Sequence, residues 1–260
     1  MWPFKRQTLL DQETAQWHVD NACWLLRNLG HTPMFNETRL VLPAPGFFDT
    51  ADASGHAMAD AIFQKVKAYA GMADWPVELV GDVDTYEANT RQLIQPPLRN
   101  TPLGLFMRDH DGVVHISYAP RLLKKPVNLI ATMAHELAHY LIHSIEAPLP
   151  CDPELEELLT DQTACMMGFG VFMANSAFAF EQFGGPGSGT QGWRSQRSGY
   201  LPEADLIFDT ALFLAAKGLD AKEALKCLKP HLADQLKTAI KDTDALRGEL
   251  ASAIADARNN

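Results

Sequence analysis

Residues 133–140 read MAHELAHY, which places His135, Glu136 and His139 in an H-E-x-x-H string. Residues four apart on an α-helix lie on one face, so His135 and His139 can each offer a ring nitrogen to a single metal ion about 2 Å away. Glu136, one step round, can take the proton of a water that the metal makes acidic. The flanking residues read as a helix. Pro126 suits a helix start, and Ile130, Met133 or Ala134, Leu137, Leu141 and Ile142 form an apolar face. By chance alone the string occurs in about one or two of every hundred chains of this length and composition. Its surroundings therefore have to decide.

Upstream, the period of the apolar residues marks helices over QETAQWHVDNACWLLRNLG, ending at Gly30, and over SGHAMADAIFQKVKAYAGM, ending at Gly71. The pattern then turns strand-like. WPVELVG is a short β-branched run, and LGLFMRDHDGVVHISYAP has two apolar stretches split by an Asp-His-Asp-Gly turn at 109–112, the pattern of a hairpin. The last strand, Val113 to Tyr118, is expected to form a sheet edge just before the H-E-x-x-H helix. Such an edge can pair with an extended peptide through main-chain hydrogen bonds.

Downstream the chain reads as helical. A second long helix is expected to start at Asp152-Pro153 and run through ELEELLTDQTACMMG. EQFGGPGSGTQGWRSQRSGYL is expected to be a long loop suited to a lid. PEADLIFDTALFLAAKG reads as a further helix, and 220–258 as a charged helical hairpin broken at Pro230. The fold class is α+β, mostly helical, with a small sheet on the N-terminal side and a helical C-terminal half.

The chain has 260 residues, is 47% hydrophobic and carries a formal net charge of −10. That fits a folded protein with a sizeable core, and its scattered Lys and Arg offer no positive stripe for nucleic acid. Two basic residues at the start are followed by Asp11, Gln12 and Glu13 rather than an apolar run. No stretch supplies the roughly 18 apolar residues of a membrane span. A cytoplasmic protein with no membrane partner is expected. Cys23, Cys151, Cys165 and Cys227 form no C-x-x-C pair, so reduced thiols are expected rather than a four-sulfur site.

A catalytic metal site needs a third protein ligand, and Glu154, Glu156 and Glu157 compete for that role on the next helix. Glu154 belongs near a helix start in any case, as an acidic charge facing the dipole. Glu156 points about 100° away from the Glu157 face. Only Glu157 has an aspartate, Asp161, one turn further along. His143 continues the His135–His139 row but would sit about 12 Å from His135 on a straight helix, outside the shell. His110 and His115 read as turn and strand residues.

H-E-x-x-H followed by a helix carrying E-x-x-x-D resembles the gluzincins, the thermolysin-like zinc metallopeptidases. The resemblance covers about 127–165; GFGVFMAN and RSGYLPEADLIFDTALFLAAKG also look like parts of uncharacterised bacterial proteins with such a motif. It implies one zinc ion held by His135, His139 and Glu157, Glu136 as general base, and Asp161 as the carboxylate that orients His135. It implies a zincin-like metallopeptidase domain over 1–218, a helical extension over 219–260 packed on the same domain, and a peptide or protein substrate. The metzincin branch is excluded, because Ile145 stands where its third histidine would be. Tyr200, Arg194 and Arg197 are candidates for the group that meets the developing oxyanion. The competing reading is a non-catalytic zinc protein that grips a peptide; the presence of Glu136, which a purely structural site does not need, speaks against it.

Overall fold

The computed structural model describes residues 8–30, 32–49, 53–81, 104–108, 113–183 and 200–257. Helix α1 (Gln12–Leu29) starts where the Asp11 carboxylate accepts the amides of Glu13 and Thr14, each at 3.0 Å, satisfying two donors that a helix start leaves unpaired. After α2 (Pro33–Asn36) and α3 (Gly55–Tyr69) come three strands, β1 (Val77–Val80), β2 (Gly104–Arg108) and β3 (Val114–Tyr118).

Their order is β1-β3-β2, with β1 parallel and β2 antiparallel to β3. This corrects the sequence reading in one respect: β3, the VHISY strand, is the central strand and not an edge. The β2–β3 pairing has the expected hairpin sense, with Phe106 opposite Ile116, and its turn at 109–112 lies outside the described residues. The edge next to β3 on the hairpin side is β2. Sequence alternation tells which face of a strand is buried but not who its neighbours are. Here β1, from a distant stretch, takes the second side of β3.

Helix α4 (Pro126–Ile142) follows a short 3-10 turn, Pro120–Lys124. It is apolar on nearly every side, with Leu129, Ala131, Ala134, Leu137, Ala138 and Ile142 all at 0% exposure, so it has to be enclosed. Strands β2 and β3, helix α3, and helices α5 (Glu156–Ala164) and α6 (Gly170–Phe183) all pack on it.

The expected single helix from Asp152 through Gly168 is in fact divided. Pro153–Leu155 is a 3-10 turn, α5 is regular, and Cys165–Phe169 is a π-turn in which Gly168 has φ of +94°. The cause is tertiary. The segment at 39–41 runs against this turn, with the Val41 amide donating to the Gly168 carbonyl at 2.9 Å, and any Cβ at Gly168 would collide with the Arg39 carbonyl.

Helix α7 (Glu203–Lys217) ends at Gly218, and α8 (Lys222–Cys227), α9 (Pro230–Thr243) and α10 (Arg247–Ala257) follow. α9 packs on α7, and α10 packs on α1 and α7. Pro230 stands at the first turn of α9, where its missing N–H costs nothing. Of the lid-like stretch expected over 181–201, residues 181–183 instead form the end of α6, and 184–199 lie outside the described residues. Among the described residues no helix is long and apolar enough to cross a membrane.

Two glycines separate conformational strain from collision. Gly218 has φ of +64° and open space around it, so Gly218→Ala is expected to cost about 1 kcal/mol. Gly168→Ala meets strain and backbone together and is expected to cost roughly 3 kcal/mol or more. Urea unfolding midpoints of the two variants measure the difference; equal shifts would contradict the packing described for Gly168.

Candidate metal centre

The helical period puts His135 and His139 one turn apart on α4, and the first turn of α5 brings Glu157 across to them. Glu157 Oε2 stands 3.3 Å from His135 Nε2 and 3.4 Å from His139 Nε2. These separations exceed the usual N–H···O distance of about 2.9 Å, whereas donors held about 2.1 Å from a tetrahedral ion stand about 3.4 Å from one another. The spacing of Glu157 from each histidine suits ligands that could share one ion. All three donor atoms lie within 4.8 Å of one another.

Both imidazoles are held in the tautomer that this requires. His135 Nδ1 lies 2.8 Å from Asp161 Oδ1; a carboxylate accepts, so Nδ1 carries the proton and Nε2 keeps its lone pair for a metal. Thr160 does the same for His139 less directly. Its hydroxyl donates to the Glu156 carbonyl at 2.9 Å, which leaves its oxygen to accept from His139 Nδ1 at 3.3 Å. Partners on the far nitrogen fix the ring plane and make the ligand a stronger donor.

The electrostatics favour a cation at this point. Burial lowers the His135 imidazole, but Asp161 and Glu157 outweigh it and raise it well above its usual range. Burial raises the Glu157 carboxyl, and the two histidines outweigh that in turn, holding it well below the usual carboxylate range. Glu136, 7% exposed, is raised chiefly by burial, against the pull of His135 and His139.

The structure separates the three glutamates that sequence left in competition. Glu157 faces the histidine pair. Glu156 turns to His143, with Oε1 2.8 Å from Nε2, and Glu154 lies exposed in the preceding 3-10 turn. Among the described residues, His139, His143 and Glu156 make a second cluster of potential ligands. That cluster differs in kind: His143 and Glu156 are at hydrogen-bond distance, and the His139 nitrogen nearest Glu156, at 3.9 Å, is the one committed to Thr160. His143 thus stays outside the three-ligand set. His115 is on β3, beside Glu78 of β1 at 3.8 Å; His110, Arg194 and Arg197 lie outside the described residues.

Tyr200, only a candidate in the sequence, stands beside His135. Its ring is 5.5 Å from that of His135, and burial, followed by the nearby carboxylates of Glu136, Asp161 and Glu157, raises its phenol far above the usual value. It is a neutral hydrogen-bond donor at any physiological pH. The next residue explains its placement: the Leu201 amide donates to Asp161 Oδ2 at 2.8 Å. Nothing in the local pattern of GYLPEAD signals this.

No protein-family model, curated protein or solved structure matches the chain.

The donor set fixes what metal analysis should find. Wild-type protein is expected to hold about one metal ion per chain, Glu157→Ala to lose most of it, and Glu156→Ala to keep it. Elemental mass spectrometry on the three proteins decides; retention by Glu157→Ala would remove Glu157 from the ligand set.

Proposed function

We propose that the protein is a zinc-dependent peptidase of the gluzincin type, acting on peptide bonds. The observation that carries this reading is the ion-like spacing of His135, His139 and Glu157, with Glu136 buried beside His135 on the same helix and the Tyr200 ring 5.5 Å from that of His135. Two imidazoles and one carboxylate suit zinc, and three protein ligands leave a coordination position for chemistry. Bound there, zinc would supply Lewis acidity to water and to a substrate carbonyl.

The residues divide the remaining work. Glu136 follows His135 on α4, and its carboxylate takes the proton of the attacking water and returns it to the leaving amine. Burial raises this carboxyl, which makes it a stronger base at neutral pH than an exposed glutamate. Tyr200 keeps its proton and donates a hydrogen bond to the oxygen on which negative charge develops. Asp161 holds His135 by one oxygen and the Leu201 amide by the other, so ligand and donor share one support.

Peptides suit the sheet as well as the chemistry. Among the described residues β2 is an outer strand of the sheet and packs against α4, and an outer strand is the place where an extended chain can pair. The pairing role expected of β3 passes to β2 in this reading. A fold of the zincin kind is part of the same proposal, supported by the sheet, the H-E-x-x-H helix and the following glutamate helix in that chain order.

Glu136→Ala is expected to retain its metal and to lose hydrolysis of a mixed peptide library by about 10²- to 10⁴-fold. Tyr200→Phe is expected to keep both fold and metal and to lower kcat by about 10²-fold or more, with KM little changed. Full hydrolysis by purified Glu136→Ala would exclude the mechanism. A metal-loaded wild type that cleaves nothing would favour a non-catalytic zinc protein.

A further inference from the structure

Helices α1 and α7 are joined by a buried ion cluster that the proposed chemistry does not use. His18, with 0% exposure, puts Nδ1 2.8 Å from Asp209 Oδ1 and Nε2 3.1 Å from Asp205 Oδ1. With a carboxylate on each ring nitrogen, both nitrogens donate and the ring is an imidazolium. Burial would lower its pKa, but Asp209 and Asp205 outweigh that and raise it to about 9. Asp205 and Asp209 are four residues apart on α7, so they grip the ring from one helical face. The edge of Trp17 and the ring of Phe208 close it off, at 4.9 and 5.8 Å between centroids.

Such a cluster is a costly way to hold two helices together. Apolar residues of similar volume usually serve stability as well or better. This one is also incompletely satisfied: among the described residues, Asp209 Oδ2 and Gln162 Oε1 are buried without a hydrogen-bond partner. A polar group kept at that cost calls for a reason other than stability.

Where its contacts lead supplies the reason. The His18 carbonyl accepts from Gln162 Nε2 at 2.6 Å, and Gln162 is the neighbour of Asp161 on α5. Asp205 and Asp209 secure the first two turns of α7, and just before that helix stand Tyr200 and Leu201. The Leu201 amide closes the path by donating to Asp161 Oδ2. One arm reaches Asp161 through α5 and the other through the start of α7. Each Asp161 oxygen is thereby assigned, Oδ1 to His135 and Oδ2 to Leu201.

We propose that His18, with Asp205 and Asp209, is a positioning clasp for the metal centre: it sets the Asp161 carboxylate and Tyr200 relative to His135. The clasp rests on the metallopeptidase reading and deepens it. Removing the His18 imidazolium leaves the two carboxylates of α7 buried without the charge on α1 that paired them, and the start of α7 shifts away from α1 to let water reach them. The Leu201 amide then leaves Asp161, and His135 loses its fixed ring plane.

The test is Co²⁺ titration of the full chain, stripped of metal, against a chelator of known affinity, with the visible d–d spectrum and the thermal unfolding of the metal-free protein recorded together. Wild type is expected to bind one Co²⁺ with the intense absorption of a tetrahedral site. His18→Gln is expected to bind about tenfold more weakly, as loss of a supporting partner does, with a changed d–d band that a purely structural role would not produce. Asp205→Asn keeps an acceptor for Nε2 and is expected to retain the wild-type spectrum. If His18→Gln fails to fold, Asp205→Leu is read the same way, since it removes one arm at the edge of the cluster. Wild-type affinity and spectrum in a folded His18→Gln, or in its stand-in, would overturn the clasp alone. Wild type that binds no Co²⁺ would overturn the metal reading and the clasp with it.

Discussion

The Asp161 carboxylate is where the structure's separate demands meet. One oxygen fixes the tautomer of His135, and the other takes the Leu201 amide across forty residues of chain. Asp161 is 2% exposed, and burying a carboxylate is costly unless its oxygens are paired. It therefore draws both partners to itself. The H-E-x-x-H helix α4, the glutamate helix α5 and the segment that carries Tyr200 are held to one geometry by the need to satisfy a single buried charge.

The rest of the fold serves that geometry by enclosing α4. A helix apolar on nearly all sides needs cover on all sides, and the sheet, α3, α5 and α6 provide it. His135 and His139 lie on the face of α4 that meets α5. Histidines in such a setting are costly unless each nitrogen has a partner, and here Asp161, Thr160 and Glu157 supply them. Burial and chemistry thus have one cause: the water exclusion that makes α4 a core helix also strengthens the field acting on its charged groups.

Much of the site was legible because its spacing is local. The His135–His139 turn and the Glu157–Asp161 turn are both i, i+4 relations, which a helix enforces whatever surrounds it. The order of the elements was legible too, since apolar period and the positions of Gly and Pro mark where helices start and stop. The three glutamates were ranked by the same means, and the structure puts Glu157 beside the histidine pair and turns Glu156 to His143.

What the sequence by itself determined is therefore what short-range geometry decides: a helical H-E-x-x-H string, a following helix with its carboxylates on one face, and a short strand-rich segment before them. Only the tertiary structure decided the relations between distant residues. Strand β3 became central because β1 pairs with it, and strand alternation says nothing about neighbours. The π-turn at Gly168 arose because the 39–41 backbone presses on it. Tyr200 reached His135 beside an amide held by Asp161, and His18 met its two aspartates nearly two hundred residues away, as separations of 187 and 191 positions record. Contacts at that range leave no periodic trace along the chain; they exist only once the buried charges have been paired by folding.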